Sequence, residues 1–510
     1  MADKTNNWTN GTTVISAPGS GAVRATEPTI ASRGGSRNVR TMLIVGAIAI
    51  GTFILLNGVP SEWAWESLRI AAVGCALVAA FYFPVDHPKP AFVFWGLLSI
   101  SECIFFREGD IYAGVQAYQG KFPTAVYGEV ASWFFFLIAV LVCSSRIRGY
   151  FGQLFAGDYK WSTLFALLCI GCSLYSPRPT FSLGWAFKLA LTVLILVLCA
   201  IRIHDFSDTL SFLRFTTFAF TVIVLQPVII AALRGEMFDD EGRMSTVVSP
   251  NALSPNAGAL LLIALTLYSR RKGEGMNKSA IVIGMVACVI MVLAGSKTGI
   301  LAAIIGGVLY FLICRKFGTA FGYIAATAIL IAGLALATPL GDYFHLYQER
   351  NGAESFSGRT ILWNAVLPAI KQKPILGHGY LASEFVSIQI NAVSWQAPHL
   401  HNGFIEALYN SGVIGLVLIV AILIVIPKNL YRVLRRAPPR DRVYQIAAGC
   451  LALYVFLLIN GLFNSSFGGK ASAPFMLMLA LVVVSRKLLD QTPLGLAGVS
   501  PAQPQWRPQP

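Results

Sequence analysis

APHLHNGFIEALYNSGVIGLVLIVAILIVIP, residues 397–427, runs from a histidine-bearing polar loop straight into an apolar stretch. A helix of about 20 apolar residues crosses a hydrocarbon core of about 30 Å, so residues 403–427 read as a membrane span. Upstream, FSGRTILWNAVLPAIKQKPILGHGYLASEF (356–385) belongs to the long polar insert 340–402. That insert carries Arg359, Lys371, Lys373, His378, His399 and His401. Cations and imidazoles beside a membrane suit an anionic, lipid-borne ligand with a base at hand.

Working outward, the same apolar pattern recurs along the chain. The 510 residues are 55% hydrophobic and 12% charged, with mean hydropathy +0.65. A soluble domain carries roughly 25% charged residues. The expected fold class is therefore an all-α polytopic membrane protein with a large loop containing short amphipathic helices. Spans are predicted at 41–59, 66–84, 91–106, 129–145, 162–176, 181–201, 215–233, 251–269, 279–295, 298–314, 320–339, 403–427, 444–463 and 472–485, about fourteen in all. The expected organisation is a polar cytoplasmic tail (1–40), eleven spans over 41–339, the loop 340–402, three spans over 403–487, and a Pro-rich cytoplasmic tail (488–510). The tail 1–40 has no apolar core of the signal-peptide kind, so no cleaved leader is expected.

Basic residues test the count. With a cytoplasmic N-terminus, Arg146/Arg148/Lys160, Arg202/Arg214, Arg270–Lys278, Arg315/Lys316, Lys428–Arg442 and Arg486/Lys487 all fall inside, as the positive-inside rule asks. The formal charge of +15 is then an orientation signal directed at an anionic leaflet, and nucleic acid is not an expected partner. All nine cysteines sit in or at the ends of apolar runs, which implies no disulfide framework. Cys169 and Cys172 lack a second ligand pair and read as core. Within the large loop, Ile361, Leu362, Ala365, Val366, Ala369 and Ile370 recur at helical spacing, predicting a short amphipathic helix over 358–373. By periodicity alone that helix is equally a plain cap on the bundle.

GRTILWNAVLPAIKQKPILGHGY (358–380) followed by HLHNGFIEALYNSGVIGL (399–416) resembles the signature of the O-antigen ligase and O-antigen polymerase superfamily. The resemblance rests on Arg359, Trp363, Pro374, Gly377, Gly379, His401, Asn402, Gly412 and Gly415. Upstream, Arg243 with Asn251 or Asn256 resembles the family's Arg loop. AGSKTGILAA (294–303) resembles its Ser-Arg-x-Gly turn, with Lys297 in place of the usual Arg. The likeness covers roughly 240–420, whereas the first 200 residues match only in hydropathy.

The resemblance implies glycan transfer from undecaprenyl diphosphate to a sugar hydroxyl, at the periplasmic face of a bacterial inner membrane, with both termini cytoplasmic. The implied partners are the lipid-linked donor, a glycan or lipid A-core acceptor, the bilayer and, as an open alternative, other polysaccharide-assembly proteins. No cofactor and no metal are expected. Arg243, Lys297 and Arg359 are the candidate diphosphate ligands, since each charge-assisted hydrogen bond contributes roughly 1.5–3 kcal/mol. Lys297 keeps the charge but not the bidentate fork of an Arg, and it also reads as an interfacial lysine snorkelling from a helix end.

His401 is the candidate base, an imidazole near neutrality placed just before a membrane helix. The competing structural reading has it cap that helix or bind phosphate. Asn402 is a candidate cap or orienter, and Glu406 a candidate support for His401 one turn on. His399 is expected to point elsewhere once the helix begins. His399 with His401 lacks a third metal ligand, and Asp239-Asp240-Glu241 reads as a solvated acidic loop. Arg69 and Lys188, inside apolar runs, are explained equally by function and by snorkelling. A transporter or flippase is the competing class. Against it stands the lack of corresponding broken helices in two halves of the chain.

Overall fold

Apolar runs with no water to satisfy their backbone must close every hydrogen bond within the segment, and helices do so. The computed structural model describes residues 89–104, 150–235, 248–268, 278–337, 359–386, 399–439 and 441–492, with parts of 133–149 and 237–246. Its helices are α1 (Lys89–Ile104), α2 (Tyr150–Leu154), α3 (Tyr159–Ser173), α4 (Pro179–Arg202), α5 (Phe206–Arg234), α6 (Pro250–Tyr268) and α7 (Lys278–Leu293). They continue as α8 (Lys297–Ile313), α9 (Phe317–Ala337), α10 (Arg359–Gln372), α11 (Gly403–Arg436), α12 (Arg442–Phe463) and α13 (Ala473–Gln491), with a 3-10 turn at Ala382–Phe385. Among the described residues the sole β pairing is the isolated antiparallel bridge Phe238–Met244.

Six described helices, α4, α5, α6, α9, α11 and α12, are long and apolar enough to cross a membrane; α7 and α8 are shorter apolar helices. The predicted runs 41–59 and 66–84 lie outside the described residues, and 129–145 is described only in part. Each later run falls on a described helix. The chain is an all-α, multi-pass membrane protein.

Successive membrane helices alternate in direction, and polar contacts at the two ends record it. At one end the Asn429 amide, late in α11, donates to Asp158 before α3 at 2.8 Å, and Arg486 of α13 lies 3.7 Å from the same carboxylate. There too Thr209 meets Gln491 at 3.1 Å, and Tyr444 donates to the Ile313 carbonyl. Arg202, Arg315, Lys316, Arg435 and Arg436 close helices at that end. The C-terminal ends of α3, α7 and α12 and the N-terminal ends of α4, α11 and α13 gather at the opposite end, where the site lies.

α6 runs through the middle of the bundle, with 72% of its apolar window buried, whereas only 11% of α9 is covered. The outer face of α9 shows Phe317, Phe321 and Ile329, a side suited to lipid.

One expectation fails in an informative way. The span 403–427 was read as continuous, but α11 is broken at Gly412, whose φ of 63° and ψ of −164° are not helical. The unbroken helix runs from residue 413 to 436, about 36 Å at 1.5 Å per residue.

Candidate functional site

The break in α11 is filled by the turn from Pro374 to Gly379. Val413 N–H donates to the Pro374 carbonyl at 2.8 Å, His378 N–H to Tyr409 at 2.8 Å, and Gly379 N–H to Asn410 at 3.0 Å. A helix end inside apolar surroundings needs such partners. No side chain fits at either glycine facing the joint: a Cβ on Gly412 would sit on the Ile375 carbonyl, and one on Gly377 on the Tyr409–Gly412 backbone. Both have positive φ, 63° and 69°. His378 belongs to this joint, stacked on Tyr409 at 4.5 Å with Nε2 2.8 Å from the Ala369 carbonyl.

α10 is the predicted amphipathic helix. Leu362, Val366 and Ile370 face inward and pack with Leu400 and Tyr409, while Ile361 is left exposed. The packing pins Leu400. Its carbonyl accepts from Trp363 Nε1 at 2.8 Å, and its N–H donates to Glu406 Oε1 at 3.2 Å. Leu400 is thus the anchor between the two histidines. Their rings lie 4.1 Å apart, and His401 is held at φ 52°, a left-handed conformation uncommon for a non-glycine residue.

Two sequence expectations are corrected here. His399 does not point away from His401; the left-handed turn at 401 brings the rings side by side. Glu406 holds the Leu400 backbone and accepts from Ser465 Oγ at 2.7 Å, so it fixes the strand between the histidines rather than supporting an imidazole. Asn402 is the N-cap of α11: its Oδ1 accepts from Phe404 and Ile405 N–H at 3.0 Å, and its amide donates to Leu462.

Arg359 opens α10, which has no acidic residue in its first turn. A cation at a helix N-terminus opposes the dipole, and together they attract an anion. Its charge reaches both imidazoles. Burial first, then Arg359, lowers His401 from the usual value to about 4. Burial, then His401, Lys470 and Arg359, hold His399 well below the ordinary range. Both rings are therefore neutral at pH 7, and His401 is a weaker base than a near-neutral imidazole. Burial and the Arg359 charge place His401 below the near-neutral imidazole that the sequence suggests.

Arg243 and Lys297 lie on two segments joined through the backbone. Met244 N–H donates to the Leu293 carbonyl at 2.8 Å, bringing the Arg243 loop to the turn that starts α8 at Lys297, whose N-cap is Ser296. Arg243 pairs with Asp239 at 3.3 Å, and its own N–H donates to that carboxylate, so Asp239 serves the loop. Asp240 and Glu241 lie outside the described residues. Among the described residues no three His, Cys, Asp or Glu side chains gather to hold a metal ion.

Lys470, in a turn that the sequence places on the outer side, and Glu384 stand at this same end with Nζ 2.8 Å from Oε2, and neither is among the candidate site residues of the sequence. The available signal was the rarity of a lysine in a short turn on the site side.

Residues 280–420 match the O-antigen ligase family. The chain is thus an all-α membrane protein of which residues 280–420 are similar to the O-antigen ligase family. The particular likeness is to the exopolysaccharide production protein ExoQ of Rhizobium meliloti (strain 1021), 33% identical over 113 residues, which cover 20% of this chain and 24% of that protein. The match spans about a quarter of that relative's length.

Proposed function

We propose that this chain is a glycosyltransferase of the bacterial inner membrane, with about fourteen spans and both termini cytoplasmic. It moves a glycan from undecaprenyl diphosphate to an acceptor sugar hydroxyl at the periplasmic face, without a metal. The observation that carries the reading is Arg359 at a helix N-terminus with its charge felt at two neutral imidazoles, that of His401 buried and that of His399 half-buried, on either side of the pinned Leu400. Arg359, with Arg243 and Lys297, would hold the diphosphate. The acceptor oxygen attacks the sugar carbon that bears the diphosphate, the carbon–oxygen bond to phosphate breaks, and the proton passes to His401. Undecaprenyl diphosphate leaves with the bonding pair. The anion that binds near Arg359 offsets the charge that depresses the imidazole, so His401 gains basicity when donor is present.

Cell-free transfer with a lipid-linked glycan tests this. Wild-type membranes should form new glycosidic bonds and Arg359→Ala membranes should not. A flippase is favoured by one observation, the break in α11 within an apolar bundle, because interrupted helices often line transport sites. Movement of the lipid-linked glycan across vesicles without new glycosidic bonds would establish that reading instead.

Between the two acceptors we favour another lipid-linked repeat, that is polymerase over ligase, on the likeness to an exopolysaccharide production protein. Deleting the gene should then leave single-repeat products. Full-length chains stranded on undecaprenyl diphosphate would indicate a ligase.

A further inference from the structure

The turn between α12 and α13 presents Lys470 to the same end of the bundle as the histidines. The turn is built rather than incidental. Tyr380 donates its hydroxyl proton to the Gly469 carbonyl at 3.0 Å, Asn410 donates to the Gly468 carbonyl at 3.2 Å, and Glu406 holds Ser465. Gly469 packs closely on Glu406, whose Oε2 would lie 2.7 Å from a Cβ placed there. Lys470 Nζ lies over the rings of Phe181 and Trp185, at 5.8 and 5.5 Å, and 2.8 Å from Glu384. Glu384 is 5% exposed, whereas Lys470 is 26% exposed, so the carboxylate is enclosed and the ammonium keeps an open side. The Lys470 charge is felt at His399.

We propose that Lys470 is a further anion-binding residue of this site, taking a phosphate oxygen of a diphosphate-bearing ligand, and that Glu384 is the positioning residue that holds its ammonium over Trp185 until the ligand arrives. This rests on the diphosphate reading of the site. An ammonium on a platform of two aromatic rings keeps its charge and a fixed height, which suits a point contact to phosphate. The enclosed carboxylate of Glu384 competes with the incoming anion for the same ammonium, so removing its charge favours the ligand.

The test uses the full-length protein with two probes: inorganic pyrophosphate in detergent micelles, and undecaprenyl diphosphate in phosphatidylcholine nanodiscs. Lys470→Met should weaken binding on the order of tenfold to a hundredfold, and Lys470→Arg should recover most of it. Glu384→Gln should tighten binding a few-fold, roughly the gain from removing one competing charge. The double variant Lys470→Met/Glu384→Gln should bind as weakly as Lys470→Met.

If Lys470 merely neutralises a buried carboxylate, the double variant regains wild-type binding, which overturns the inference. Binding lost in Arg359→Ala but intact in Lys470→Met overturns it too, and leaves the transferase reading standing. Failure of both probes to bind wild-type protein overturns the inference together with the diphosphate reading. Lys470-dependent binding of both probes assigns recognition to the diphosphate itself. Dependence seen with the lipid alone assigns it to a diphosphate delivered from the bilayer.

Discussion

His401 occupies a conformation that costs a non-glycine residue about 1–3 kcal/mol, and its neighbours enforce it. Leu400 is buried and hydrogen-bonded on one side, and Asn402 caps α11 on the other. His401→Ala should keep donor affinity while turnover falls roughly 10²–10⁴-fold, the usual contribution of general-base catalysis. Unchanged turnover in the purified variant would remove the base. Because the two rings touch, His399→Ala should also lower turnover, by a smaller factor. Arg359→Lys should recover little of what Arg359→Ala loses, since the planar fork is gone.

The pH dependence follows from the depressed imidazoles. Above about pH 6.5, the unfolded value, folded and unfolded histidines are alike neutral and contribute nothing to the balance. As pH falls toward about 4, the unfolded chain takes up protons that the folded site refuses, so stability is lost. Thermal unfolding of wild type should therefore drop faster than that of His401→Ala between those pH values. The profile of kcat/KM, which reports free enzyme, should stay level down to about pH 5, while kcat should inflect at higher pH.

At the scale of elements, the joint between the 374–379 turn and the broken α11 sets the site's geometry. It aims Asn410 at Gly468 and Ser383, so one helix break ties three chain segments together. Gly412→Ala places a Cβ on a carbonyl oxygen at a left-handed position, and destabilisation of at least about 1–3 kcal/mol is expected, with transfer lost. Thermal unfolding of detergent-purified protein measures it; a variant as stable and active as wild type would mean that the joint tolerates a continuous helix. Trp363→Phe is the milder probe. It removes one hydrogen bond to Leu400, about 1 kcal/mol, and should lower turnover more than stability by freeing the strand between the histidines.

At the scale of the molecule, the two ends of the bundle carry different chemistry. The end with Asp158, Asn429 and Arg486 is a structural network, whereas the other collects Arg359, the histidines and Lys470. Reporter fusions near Gly352 and Arg436 should report opposite sides of the membrane, the first periplasmic. The same side for both would break the span count between them.

The sequence by itself determined the helices and their order. An apolar run of some twenty residues has no alternative to a helix in lipid, and among the described residues each apolar run falls on a helix, although α5 starts well before its run and α11 and α13 continue well past theirs. The amphipathic α10 and the Asn402 cap were legible for the same reason: each depends on residues near in the chain. Tertiary structure alone decided the rest. Asn410-Ser411-Gly412 is a turn-favouring triplet at the head of the apolar run, but the partners that replace the hydrogen bonds lost at the break come from Pro374–Gly379, far upstream. The neutral state of the histidines comes from burial and from a charge on another helix, and Lys470 meets Glu384 across a long stretch of chain. Periodicity records which face of a helix is apolar, but only folding determines which distant charge that face is brought against.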